Sequence, residues 1–171
     1  MPSTIIDSAI FGDIFSTAAM RRVWSDESRT AKYVAIESAL AKVQGALGLI
    51  PADAAAEIIR VCHIDNIDMV KLKAQTERIG YPILGVVSQI NLLCRDKLGE
   101  YVHWGATTQD ITDTATVLQI REALAIVDAD LLALGNALAA LAHKHRDTPM
   151  IGRSNLHAAP GDAGPGLRRA A

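Results

Sequence analysis

Residues 101–115 read YVHWGATTQDITDTA, a polar segment that gathers one histidine, one glycine, paired threonines, a glutamine and two aspartates. Thr107 and Thr108 supply two hydroxyls and two backbone amides just ahead of a helix start. Such a helix N-terminus suits a carboxylate or a phosphate, because its first amides have no intrahelical partner and its dipole favours negative charge. Gly105 lets the backbone approach a ligand closely. His103 lies upstream within reach of the same space, and imidazole is the side chain here that exchanges protons near neutral pH. Asp110 is an N-cap candidate and Asp113 falls in the first helical turn. Both aspartates read as structural, since carboxylates facing an anion would repel it. Capping alone also accounts for Thr, Gln and Asp before a helix, and His-Trp could simply pack. From the residues themselves, the two readings stay level.

Other chemistry-bearing groups are weaker. His143 and His145 are two apart on a helix and face different ways, so they make no metal clamp. Cys62-His63 has no second pair at ligand spacing, and there is no glycine-rich phosphate loop or nucleophile elbow. Arg21 and Arg22 read as surface ion-pairing groups. No metal and no cofactor are expected.

The elements that must hold the segment are helices. Ser16 can cap a short helix through Met20, Val23 and Trp24. A second helix starts near Asp26 or Ser28, with Tyr33, Ile36, Leu40, Val43 and Leu47 at three- and four-residue spacing and Gly48 as its stop. Pro51 opens a helix over 52–62. Residues 63–68 connect to a helix over 69–78 that breaks at Gly80-Tyr81-Pro82. The next runs from Ile83 to about Leu98 and stops at Gly99. The last helix carries Val117, Ile120, Leu124, Val127, Leu131, Leu134, Leu138 and Leu141 in alternating steps of three and four, a heptad seam. It is also apolar on a second side, so several neighbours are needed to cover it, and helices of other subunits are the expected source. No segment alternates convincingly with period two. The fold class is therefore all-α: a helical domain over 1–111, a long bundle helix over 112–147, and an irregular tail over 148–171 with many glycines and prolines.

The whole chain agrees with one helical domain. It has 171 residues, half of them hydrophobic and only 4% aromatic, a composition that favours close-packed helices. A net charge of −2 gives no reason to expect nucleic acid or an anionic membrane as partner. Residues 123–142 are apolar enough to raise a membrane span, but Asp128, Asp130 and Asn136 in their middle favour a buried bundle helix. The N-terminus lacks a basic start followed by an apolar run, and two distant cysteines fit free thiols in a cytoplasmic protein.

HWGATTQDITDTA closely resembles the first signature region of the fumarase/aspartase superfamily, a histidine and glycine followed by Thr-Ser-x-Asp and an Asp-Thr-Ala helix start; Thr108 stands for the serine and keeps the hydroxyl. MRRVWSDESRTAKYVAIESALAKVQGALGLIP and MIGRSNL also resemble this superfamily, the latter the opening of its second region. Within it, the chain is most similar to bacterial 3-carboxy-cis,cis-muconate cycloisomerases. Adenylosuccinate lyases come second, because Phe11-Gly12-Asp13 and Gly80-Tyr81-Pro82-Ile83 stand where they carry nucleotide-binding residues.

The resemblance implies that Thr107, Thr108 and Gln109 bind a small carboxylate substrate, with His103 assisting by hydrogen bonding or proton transfer. The implied reaction is lactonisation, addition of a substrate carboxylate across a double bond in aromatic degradation. Asn155 occupies the second-region position where the lyases have histidine and the cycloisomerases usually tryptophan. The third signature, a flexible Gly-Ser-Ser loop, has no counterpart, so the expectation is a shortened member, inactive alone. The intact family implies a homotetramer joined through the long helix. Two rival expectations are a fragment of adenylosuccinate lyase or another fumarate-releasing lyase, and a non-catalytic helical oligomerisation module.

Overall fold

The computed structural model describes residues 4–5, 8–154 and 157–162, with side chains up to residue 149. Among them the chain is helical: α1 (Gly12–Phe15), α2 (Ala18–Val23), α3 (Asp26–Ala46), α4 (Ala52–Val61), α5 (Met69–Ile79), α6 (Ile83–Leu93) and α7 (Thr108–Lys144), with 3-10 turns at Ile64–Asn66 and Leu98–Tyr101. Two strands follow, β1 (Pro149–Ser154) and β2 (His157–Asp162). The chain divides into two compact units, Met1–Ala123 and Leu124–Ala171.

Local chemistry explains most helix ends. Thr17, not Ser16, caps α2 by accepting from the Met20 amide, and Ser25 caps α3 through the Ser28 amide. At the far end of α3 the Leu49 amide donates to the Gln44 carbonyl and the Gly48 amide to the Gly45 carbonyl. Gly48 there has a φ of 70°. This doubly bonded left-handed stop satisfies carbonyls that the helix would leave open. Asp68 caps α5, and Gly80 closes it in the left-handed region.

The first unit is built on one core that contains Tyr33 and Val34 of α3, Ile58 of α4, Leu72 of α5 and Val86 and Ile90 of α6. Ile111 and Ala115 join it from the start of α7. Helices α3 and α4 touch closely: a β-carbon added at Gly45 would lie 2.5 Å from that of Ala55. Three differences from the sequence expectation have physical causes. The inner face of α3 is Thr30, Tyr33, Val34, Glu37 and Ala41, whereas Val43 and Leu47 are exposed. The close α4 contact is made where α3 has glycine, at Gly45, and the aliphatics Val43 and Leu47 stay outside.

Helix α6 ends at Leu93 rather than near Leu98. Asp96 and Lys97 take positive φ, and the Arg95 amide bonds Glu57 Oε1 at 3.0 Å. The chain then doubles back so tightly that a β-carbon at Gly99 would meet the Asn91 carbonyl at 2.6 Å. The third difference is in the tail, where an antiparallel ladder pairs Pro149 with Asp162 through Ser154 with His157. Both strands are edges, the setting in which proline is tolerated.

Helix α7, 37 residues long, is apolar and long enough by length and composition to cross a membrane. The seam expected on it is exposed at Val117, Ile120, Leu124, Val127, Leu131, Leu134 and Leu141.

Glu57 links α4 to the turn after α6. Its carboxylate receives Arg60 at 2.6 and 2.8 Å and the Arg95 guanidinium at 3.3 Å. The Arg60 bonds first, then those of Arg95, hold the Glu57 carboxyl well below its usual 4.5. A carboxyl depressed by folding adds stability that is present above its unfolded value and is lost as pH falls below it. Urea midpoints of the wild-type chain should therefore drop as pH falls below about 4.5, while Glu57→Gln starts lower at neutral pH and follows a flatter curve through that range.

Candidate functional site

The segment between the Leu98–Tyr101 turn and α7 is fastened to α3 at two polar points. The Gln44 amide donates to the Trp104 carbonyl at 2.7 Å. His103 Nδ1 lies 2.6 Å from Glu37 Oε1, and the Glu37 side chain is 1% exposed. Tyr101 and Trp104 add a tilted ring contact with centroids 5.6 Å apart. His103 has a φ of 62° and Gly105 a φ of 69°. Histidine is among the residues found more often than most in that region, and glycine enters it without steric cost. The two reverse the chain, with the Ala106 amide reaching the His103 carbonyl at 3.3 Å.

Thr107 and Asp110 form a reciprocal cap. The Thr107 amide donates to Asp110 Oδ2 at 2.9 Å, and the Asp110 amide reaches Thr107 Oγ1 at 3.4 Å. The capping side chain is therefore Thr107; Asp110 sits three residues inside and returns the bond. Sequence reasoning placed Asp110 at the cap because Asp precedes the apolar run, but helical geometry begins two residues earlier, at Thr108. Asp113 Oδ1 accepts from the Gln109 amide at 2.6 Å, which occupies Gln109 one turn along the helix. Thr108 is half-buried. Its hydroxyl, its backbone amide and the Gln109 backbone amide have no hydrogen-bond partner among the described residues, whereas the Gln109 side-chain amide is the group bonded to Asp113. Asn155 lies outside the described residues.

A cleft of about 330 Å³ opens beside this segment, lined by Leu40, Gln44, Trp104, Gly105, Asp110 and Thr114 among others. His103, Thr107 and Thr108 do not line it. The geometry therefore brings His103 to Glu37 and Thr107 to Asp110, but does not enclose the threonines and the histidine in one pocket. What it offers is a helix start with two open amides and a hydroxyl, next to a histidine held by a buried carboxylate.

Sequence reasoning missed Glu37, Gln44 and Gln119. Gln119 is fully buried; its amide donates to the Val23 carbonyl at 2.7 Å and its oxygen accepts from Arg29 Nε at 3.2 Å. The signal was present for Glu37. It stands four residues from both Tyr33 and Ala41, on an apolar face where a charged group needs a partner. Burial raises the Glu37 carboxyl above its usual value, and the His103 bond opposes that rise.

A family model described as lyase matches residues 13–161. Trans-aconitate decarboxylase 1 of Mycosarcoma maydis is 51% identical over 91% of this chain and 32% of its own length. The N-acetyl-S-(2-succino)cysteine lyase of Enterococcus italicus is 40% identical over 91% of this chain and 34% of its own. The crystal structure of beta-carboxy-cis,cis-muconate cycloisomerase from Acinetobacter calcoaceticus superposes with a TM-score of 0.87 at 35% identity, covering 94% of this chain and 38% of that one. The chain spans about a third of the length of these relatives.

The cap is open to a direct test. Thr107→Ala should cost about 1 kcal/mol of stability. Combined with Asp110→Ala it should cost less than the two changes summed, because each removes the same reciprocal pair. Chemical denaturation of the two single variants and the double variant measures this.

Proposed function

The chain belongs to the lyase family of the fumarase/aspartase superfamily, and from that premise we propose that residues 103–109 are the carboxylate-binding part of an active site for addition or elimination beside a carboxylate. The supporting observation is the pair of open amides at Thr108 and Gln109, with the Thr108 hydroxyl beside them and the Glu37-held His103 upstream. Thr108 and the amides hold the substrate carboxylate, Thr107 contributes while capping, and His103 donates a hydrogen bond or moves a proton. The favoured reaction is cycloisomerase-like: one substrate carboxylate attacks a double bond conjugated to another, and the enolate-like charge that develops is stabilised by fixed donors. The 51% identity to a trans-aconitate decarboxylase supports a second substrate class, an unsaturated tricarboxylate. Alone, the chain supplies one portion of a composite site and is inactive.

Titrating the 15N-labelled chain with 3-carboxy-cis,cis-muconate, trans-aconitate and N-acetyl-S-(2-succino)cysteine tests the site. Amide shifts should concentrate at Gly105–Gln109 and be lost in Thr108→Val. The compound acting at the lowest concentration identifies the substrate class. No response in those amides to any of the three would refute the carboxylate site, and turnover by the chain would refute the inactive reading.

The exposed seam of α7 supports assembly with further copies of the chain. Its leucines, at heptad spacing and in contact with water, match a helix–helix interface better than a lone surface. Leu131→Asp should convert an oligomer to monomer in analytical ultracentrifugation. A wild-type chain that sediments as a monomer would remove the assembly.

A further inference from the structure

The Glu37 carboxylate is buried on the inner face of α3 and reaches across to a histidine 66 residues away in sequence. Its Oε1 lies 2.6 Å from His103 Nδ1, while its Oε2 is buried without a partner among the described residues. His103 is thus the one group found to satisfy this carboxylate. The dependence runs both ways, since His103 occupies the left-handed region, where a non-glycine residue is held in place by its surroundings. Sequence-local contacts supply only the 3.3 Å turn bond from Ala106.

We infer that Glu37 is a positioning residue for His103: it keeps the proton on Nδ1 and leaves Nε2 as the nitrogen that meets substrate. A buried carboxylate oxygen accepts, so the facing ring nitrogen donates, and a hydrogen bond at one imidazole nitrogen decides the state of the other. The ionisable group that feels the Glu37 charge is Cys62, at the end of α4. Burial first, and then the Glu37 charge, push its thiol up to about 12, so it stays neutral and offers no competing charge. The ring keeps 13% of its side-chain surface accessible, enough for one edge to meet a ligand. Helix α3 thereby sets which end of the imidazole is chemically active, although none of its own groups is placed at the substrate.

The role of Nε2 toward substrate rests on the lyase reading; the placement of the proton does not. Nitrogen-15 spectroscopy of the full chain reads the protonation of each histidine ring nitrogen, and His103→Asn, which tolerates the left-handed backbone, identifies the His103 signals by their loss. At about pH 8.5, above the ordinary imidazole range, His103 Nδ1 should show the protonated, pyrrole-type shift. In Glu37→Gln, whose amide can either donate or accept, that preference should be lost to a mixture of tautomers. An unprotonated Nδ1 in the wild type would overturn the inference. So would an unchanged tautomer in Glu37→Gln at retained folding, monitored by circular dichroism. The outcome is independent of carboxylate binding, so failure of the lyase reading and failure of this one are separable.

Discussion

The chemistry-bearing segment depends on the polar side of α3. Four of its side chains reach residues between 103 and 122: Arg29 to Gln119, Lys32 to Glu122, Glu37 to His103 and Gln44 to the Trp104 carbonyl. A single rigid helix therefore fixes the loop and the first turns of α7 along about 20 Å of its length. A loop carries backbone groups that cannot all pair with one another, so a wholly apolar face could hold it only by leaving some unsatisfied. Neutral hydrogen bonds add about 0.5–1.5 kcal/mol each, and a buried group left without its partner costs about 1–3 kcal/mol. That asymmetry makes the attachment specific: any other seating of the loop strands a buried carboxylate or amide.

The same constraint separates two faces of α7. Ile111, Ala115 and Gln119 are buried, at steps of four, and Gln119 accepts from Arg29. The seam that begins at Val117 lies around the helix from this stripe and stays in contact with water at most of its positions. The docking stripe is short, mixed in polarity and internal to the first unit. The seam is long and aliphatic and continues past Ala123. One helix thus serves as a support for the loop at its start and as an exposed apolar surface beyond.

Regular features were legible in the sequence because their causes are local. Gly48, Pro51 and Gly80 act through their own backbone preferences, so the ends of α3 and α5 and the start of α4 could be read from single residues. The family resemblance likewise rested on contiguous runs, residues 103–115, 20–51 and 150–156. What escaped was set by partners distant in sequence. The stripe read on α3 was right at Tyr33 and Ile36, which join or pack against the core, and failed at Val43 and Leu47, because its regular spacing runs on past the positions that pack. Glu37 was marked in the sequence as a charged group on an apolar face, but its partner was set only when the fold brought His103 to it. The early end of α6 depended on Arg95 meeting Glu57, 38 residues away. The hairpin escaped because proline and glycine break the alternation by which strands are found, although edge strands accept both.

Charge explains why the loop is well shaped for an anion yet weak as an anion site by itself. No lysine or arginine occurs between Tyr101 and Ile120. The cap already uses the Thr107 amide for Asp110, and Asp113 adds a second carboxylate within the next turn. The positive end of the helix dipole, worth roughly half a charge, is thus offset by two acidic groups. Whatever charge His103 carries is countered by Glu37. What remains is a set of donors without net attraction: two backbone amides and a hydroxyl at the helix start. Directional donors of this kind discriminate between geometries, but strong binding of a carboxylate requires a cation as well. In this chain such a cation has to come from outside residues 101–120, which is the electrostatic argument for the proposal that the loop is a portion of a larger site.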